Sequence, residues 1–257
     1  MNSIAETIQW PARAGAPPPA GSEIHVWATT LSVPAETISE FATTLSSDEV
    51  ARAGKFKFEK HRNRYIAGRG ALRKILGQYL QTPSADLRFT QSTNGKPVLA
   101  EDFASAGIHF NLAHSDDLAL VAVTRLGAVG VDVERIRPVK EMDHLVARFF
   151  SPSENEAFQK VSENEKPAAF FNLWTRKEAL LKATGEGITR SLSLVEVSFL
   201  PDKPAQLLAI SGNAIKAASW SLRELSPATG FTGAIAIEAP EVNVQCWKWI
   251  PESWQPT

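Results

Sequence analysis

The spacing of apolar and polar positions along the 257-residue chain switches between a period of two and a helical period, and the elements it predicts fall into one order twice. Glu23–Thr30 alternates as a strand does, and His61–Leu80 sets Ile66, Leu72, Ile75, Leu76 and Tyr79 at helical spacing. Gly68 and Gly70 in that helix allow close approach of a neighbour. Strand patterns follow at Leu87–Gln91, Ile108–Leu112 and Leu118–Thr124. A second series opens with a strand over Ala128–Glu134 and an amphipathic helix over Glu141–Phe150. Ser151-Pro152-Ser153-Glu154 then has the form of a capping box, with proline at the first helical position. A longer helix over Pro167–Thr184 carries Phe170, Phe171, Trp174, Leu180 and Leu181, and Gly185 and Gly187 stop it. Strands return at Leu194–Phe199, Ala217–Leu225, Phe231–Ile237 and Val242–Ile250.

A strand, then helices, then several strands, repeated, predicts an α+β fold built as two halves. The expected organisation is a flexible lead-in over residues 1–22, an N-terminal half over 23–127 and a C-terminal half over 128–257. The lead-in is rich in Pro, Ala and Gly and has no period. It also lacks the charged start and apolar block of a secretion signal, and no apolar run approaches the length that spans a bilayer. The lone cysteine, Cys246, excludes an intramolecular disulfide. These features predict a cytoplasmic protein with no membrane partner.

A formal net charge of −1 gives no general reason to expect nucleic acid as a partner. The charge is unevenly placed, however. Arg52, Lys55, Lys57, Lys60, Arg62, Arg64, Arg69, Arg73 and Lys74 crowd one stretch against a single acid, Glu59. This is either a solvated helix face or a site for an anion.

Three short segments carry candidate chemistry. In Gly130-Val131-Asp132-Val133-Glu134-Arg135 the strand period projects Asp132 and Glu134 from one face and the valines from the other. Two carboxylates so placed are either an ordinary exposed acidic face or oxygen ligands for a hard cation such as Mg2+. On the helix over Pro167–Thr184, Trp174, Glu178 and Lys182 are successive i, i+4 neighbours and line one stripe. Gly95-Lys96-Pro97 sets a charge on a turn, and His114, in Phe110-Asn111-Leu112-Ala113-His114-Ser115, ends a strand.

In this order and spacing the segments resemble the phosphopantetheinyl transferase superfamily, in particular its single-chain Sfp-like branch. The G-[IV]-D-[IV]-E strand and the W-x-x-K-E-A-x-x-K helix with its glycine-rich stop are both present without a gap, and the resemblance covers about residues 50–190. It implies two halves related by pseudo-twofold symmetry, with the active site in the cleft between them. It implies transfer of the 4'-phosphopantetheine group of coenzyme A to a serine of an apo acyl or peptidyl carrier protein, releasing 3',5'-ADP. The enzyme type that it implies is holo-[acyl-carrier-protein] synthase. Mg2+, with Mn2+ as a substitute, would be held by Asp132, Glu134 and Glu178. Glu178 would be the base, with Asp132 and Lys182 beside it in catalysis. Coenzyme A would be bound by Arg64, Arg69, Lys96, Pro97, His114, Lys177 and Lys182. Ala113 stands where the family often has serine, which removes one hydroxyl contact to phosphate. Phe149 and Phe150 are either core or part of a rim that meets the acidic carrier. A pseudo-duplicated chain supplies both halves by itself, so a monomer is expected. A Mg2+-dependent hydrolase of coenzyme A, or a binding module on the same fold, would use the same residues differently.

Overall fold

A computed structural model of the chain describes residues 9–92, 95–185, 192–200 and 203–251. The described residues divide into two compact units, one of Trp10–Arg125 with residues 244–251 and the other of Leu126–Asn243. The first contains β1 (Ala12–Arg13), β2 (Glu23–Thr30), α1 (Ala35–Ala42), α2 (Ser47–Ala53), α3 (Glu59–Leu80), β3 (Phe89–Gln91), β4 (Pro97–Leu99), β5 (His109–Ser115) and β6 (Leu118–Thr124). The second contains β7 (Val129–Arg135), α4 (Met142–Phe149), α5 (Pro152–Gln159), α6 (Lys166–Thr184), β8 (Val195–Val197), β9 (Leu207–Ile210), α7 (Ala214–Ala218), β10 (Ser221–Leu225) and β11 (Phe231–Ile237). The last strand, β12 (Asn243–Trp249), returns to the first unit.

In the first unit the sheet order is β1-β12-β2-β6-β5. β2 and β6 run antiparallel from Ile24 opposite Thr124 to Thr30 opposite Leu118, and their middle residues are buried on both faces. That burial is why apolar side chains fill most of their length. α3 buries Ile66, Ala67, Leu72, Ile75, Leu76 and Tyr79 in one cluster with Trp27, Val121, Val123, Trp247 and Trp249. α1 crosses α3 at Gly70, where a Cβ would stand 2.4 Å from Phe41 Cβ, so only glycine permits this crossing.

Two expectations about the chain ends are corrected. β12 was assigned with the C-terminal half, yet it lies between β1 and β2 in the other sheet. Part of the lead-in is ordered, because Ala12 and Arg13 pair in parallel with Lys248 and Trp249. Pairing through backbone groups leaves no periodic side-chain trace in so short a strand. The remaining lead-in residues before Gln9 lie outside the described set.

Neither α1 nor α2 was read from the sequence, and α2 changes the meaning of the basic stretch. Its Glu49 is buried and accepts from Arg69 Nε at 2.6 Å and from Arg73 Nε at 2.7 Å. Arg73 also donates to the carbonyls of Ser84 and Leu87, at 3.0 and 2.9 Å. Burial alone would raise the Glu49 pKa, but Arg69, the Ser46 backbone N–H and Arg73 together hold it below the usual glutamate value. This stability is present above the ordinary glutamate range and is lost as pH falls through the depressed value. Glu49→Gln leaves buried guanidinium charge unpaired, and the expected loss is about 3–5 kcal/mol by urea denaturation.

In the second unit, β7 and β10 flank β11, antiparallel throughout, with Asp132 opposite Ala234 and Glu134 opposite Thr232. α6 lies on this sheet and is also enclosed by α4, α5 and β8, so most of its residues are buried. Gly185 ends α6 in the left-handed region at φ 75°, as its sequence position predicts. Gly187 lies outside the described residues. The capping box at Ser151 is present, with Glu154 N donating to Ser151 Oγ at 3.2 Å and Ser151 N to Glu154 Oε2 at 3.0 Å.

Candidate active site

The site begins with a glycine. A Cβ on Gly130 would meet Ala179 O at 1.9 Å and Ala183 N at 2.5 Å, so β7 and α6 approach backbone to backbone. Residues 130, 132 and 134 share one strand face, and Gly130 marks that face as the one turned toward α6. Asp132 and Glu134 therefore project beside the helix that carries Glu178 and Lys182. Lys182 Nζ donates to Asp132 Oδ1 at 2.6 Å and to Val131 O at 3.3 Å. Trp174, at the start of the same stripe, stacks on Phe170 and meets Phe150 edge-on, which sets it as a packing residue.

Most buried polar side chains of α6 are matched. Asn172 bridges Phe199 O and Thr232 Oγ1, Thr175 bonds back to Phe171 O, and Arg176 pairs with Glu224. Glu178 differs. Its Oε1, with Asp132 Oδ2 and the indole nitrogens of Trp10 and Trp220, is a buried side-chain atom without a hydrogen-bond partner among the described residues. Burial pushes the Glu178 carboxyl up to about 7, and the charges of Asp132 and Glu134 add to the rise while Lys182 opposes it. Burial likewise lifts Asp132 to about 6, against the pull of Lys182. Two buried carboxylates, each with an acceptor oxygen left empty and with Asp132 adding to the rise of Glu178, form a site starved of positive charge.

Glu134 is half-buried, and Arg137 Nη1 stands 3.4 Å from its Oε2. No three His, Cys, Asp or Glu side chains converge closely enough to hold a metal ion among the described residues. The conformation thus brings together Asp132, Glu178 and Lys182, with Glu134 at the margin.

The residues expected to bind coenzyme A behave unequally. Lys177 is fully buried, pairs with Glu154 and donates to Leu192 O at 2.7 Å, so the expectation that it reaches a phosphate is corrected. Its ammonium is committed on the side of α6 that faces the core. Arg69 is similarly held by Glu49 and lies over the Phe89 ring at 5.0 Å, which removes it from the expected phosphate set. Arg64 is more open and faces Asp116, in the turn after His114, at 3.6 Å. His114 is exposed on the edge strand β5. Pro97 opens β4, and Lys96 precedes it beside Gly95 at φ 76°. Lys96 adds to the burial that lowers the pKa of His109, at the other end of β5 from His114. Phe150 is core, in edge contact with Phe170 and Trp174.

The residues that sequence reasoning misses are the acids that pair with the basic stretch, Glu49 with Arg69 and Arg73, and Glu40, which accepts from Lys74 Nζ at 2.7 Å. Glu49 had a visible signal, since Ser46-Ser47-Asp48-Glu49 has the spacing of a capping box. A cavity of about 500 Å³ in the first unit, beside Lys74, Gln78, Gln81 and Trp249, is lined by none of the expected site residues.

Residues 128–236 match the family model described as 4'-phosphopantetheinyl transferase superfamily, and residues 32–125 match 4'-phosphopantetheinyl transferase, N-terminal. The 4'-phosphopantetheinyl transferase HetI of Nostoc sp. is 40% identical over 232 residues, covering 90% of this chain and 92% of that protein. The 4'-phosphopantetheinyl transferase psf-1 of Bacillus pumilus is 33% identical, over 66% of this chain and 70% of its own. The mouse L-aminoadipate-semialdehyde dehydrogenase-phosphopantetheinyl transferase is 28% identical, over 62% of this chain and 54% of its own. No helix among the described residues is long and apolar enough to cross a membrane. With both motifs on the faces described and the likeness running nearly end to end, this chain belongs to the Sfp-like 4'-phosphopantetheinyl transferases, which move the phosphopantetheine arm of coenzyme A onto carrier proteins.

Proposed function

We propose that this chain is a monomeric, divalent-cation-dependent transferase of the holo-[acyl-carrier-protein] synthase type, acting in the cytoplasm with Glu178 as its general base. The observation that carries this reading is the pair of buried, unpartnered carboxylate oxygens, Asp132 Oδ2 and Glu178 Oε1. Anionic oxygen atoms without donors suit a hard cation, and Mg2+ or Mn2+ fits this donor set. Asp132 and Glu178 would hold the ion, and Glu134 would join them on leaving Arg137. When bound, the cation would neutralise charge on the coenzyme A pyrophosphate.

The remaining work falls to side chains. The Glu178 carboxylate, buried and with one oxygen unpartnered, can accept a proton from a serine hydroxyl brought to it, which suits it to activate the carrier serine. Lys182 holds Asp132 in place, and its charge, one helical turn beyond Glu178, is available to the phosphate that leaves as 3',5'-ADP. In the first unit, Arg64 and His114 flank one turn of the sheet and would take the 3'-phosphate, with Lys96 and Pro97 toward the adenine.

Incubation with coenzyme A, Mg2+ and a panel of apo carrier proteins, followed by intact mass measurement, tests this. The expected result is a gain of one phosphopantetheine per carrier, abolished by EDTA and by Glu178→Ala. Coenzyme A consumed with every carrier unchanged would replace the transferase by a hydrolase, and metal-independent transfer would sink the cation assignment.

A further inference from the structure

Lys177 precedes Glu178 in the helix motif, yet its ammonium is 0% exposed and points away from the carboxylate pair. It donates to Glu154 and to Leu192 O, and lies 4.9 Å from the centre of the Phe150 ring. Glu154 is itself a junction. Its Oε1 accepts from Val197 N at 3.0 Å and its Oε2 from Ser151 N at 3.0 Å. One carboxylate thus ties the first turn of α5, the strand β8 and the side chain of Lys177 together.

We infer that the Lys177–Glu154 pair is a positioning device, which fixes the rotation of α6 about its axis and so aims Glu178 at Asp132. The inference rests on Glu178 being the base. Successive residues of an α-helix are about 100° apart around the axis, so the direction in which Lys177 is anchored determines where Glu178 points. On the sheet side, Gly130 lets α6 settle against β7 at Ala179 and Ala183. On the core side, Lys177 is bonded to two other elements. A helix held at both sides cannot roll, and the unpartnered oxygen of Glu178 stays beside Asp132. A buried ion pair contributes little net stability over an apolar replacement of similar size, so orientation is what this pair adds.

The test compares Lys177→Met, Glu154→Gln and the double variant Lys177→Met/Glu154→Gln with the unaltered enzyme. Each is assayed by carrier modification at a temperature where circular dichroism shows it fully folded. The double variant removes both charges together and leaves no unpaired ion in the core. Expected for the double variant is a kcat lower by about 10²-fold, the usual effect of a misplacement near 1 Å, with KM for coenzyme A unchanged. A loss confined to kcat in protein shown to be folded separates mispositioning of Glu178 from loss of structure. A double variant with full kcat would overturn the inference and leave the pair a stability element. An active Glu178→Ala variant would instead remove Glu178 as the base, independently of what the pair does.

Discussion

Glu178→Gln is expected to lower the rate of carrier modification by about 10²–10⁴-fold, the range typical of losing a general base, while making the cation-free protein more stable above neutral pH. The two effects share one cause. Burial, then the charge of Asp132, raises the folded pKa of Glu178 to about 7 from an ordinary 4.5. A raised carboxyl binds its proton more tightly folded than unfolded, so its contribution to stability is full below the ordinary value and lost as pH rises through about 7. Asp132 adds the same sign over a lower window, up to about 6. The apo enzyme should therefore lose thermal stability between about pH 4.5 and 7, and Glu178→Gln should flatten that decline. Thermal melts across this range, with EDTA present, check it. A variant that melts lower than the unaltered protein at pH 8 would contradict the account of a strained carboxylate pair.

Gly130→Ala is expected to disrupt the protein more than any other single methyl addition on β7. Its Cβ would need the space of Ala179 O and Ala183 N, at 1.9 and 2.5 Å, and both are backbone atoms inside a helix. Neither can swing aside as a side chain can. Overpacking a well-filled interior usually destabilises by about 1–3 kcal/mol, and a clash with backbone belongs at or above the upper end. Urea denaturation should show this loss. Because the same contact sets Asp132 beside Glu178, what remains folded should also transfer phosphopantetheine poorly. An alanine variant of normal stability and rate would mean that β7 and α6 do not meet at this glycine.

Much of this is legible in the sequence alone. The i, i+4 stripe of Trp174, Glu178 and Lys182 and the one-face placement of Asp132 and Glu134 follow from helix and strand periods alone. Ser151 and Glu154 declared a helix start, and Gly185 a helix end, through local backbone chemistry that the fold then preserved. The basic stretch shows where such reading stops. Arg64 and Arg69 look equivalent in the sequence, but Glu49 of α2 claims Arg69 and Arg73 and leaves Arg64 to the turn after His114. Lys177 and Lys182 look equally fit for phosphate, and only one has its charge outside the core.

What the sequence by itself determined was every feature carried by neighbours within a turn or two: the caps, the stops, the shared faces and the motif that marks the family. What only the tertiary structure decided was which partner each charge meets and which sheet receives the last strand. β12 carries the same apolar pattern whichever sheet it joins, and its place beside β2 depends on residues more than two hundred positions away. An ammonium on a helix likewise has no intrinsic direction toward core or solvent. Lys177 is buried because Glu154 and Leu192 O lie where the chain folds back on itself, and Lys182 turns to Asp132 because Gly130 lets two backbones meet.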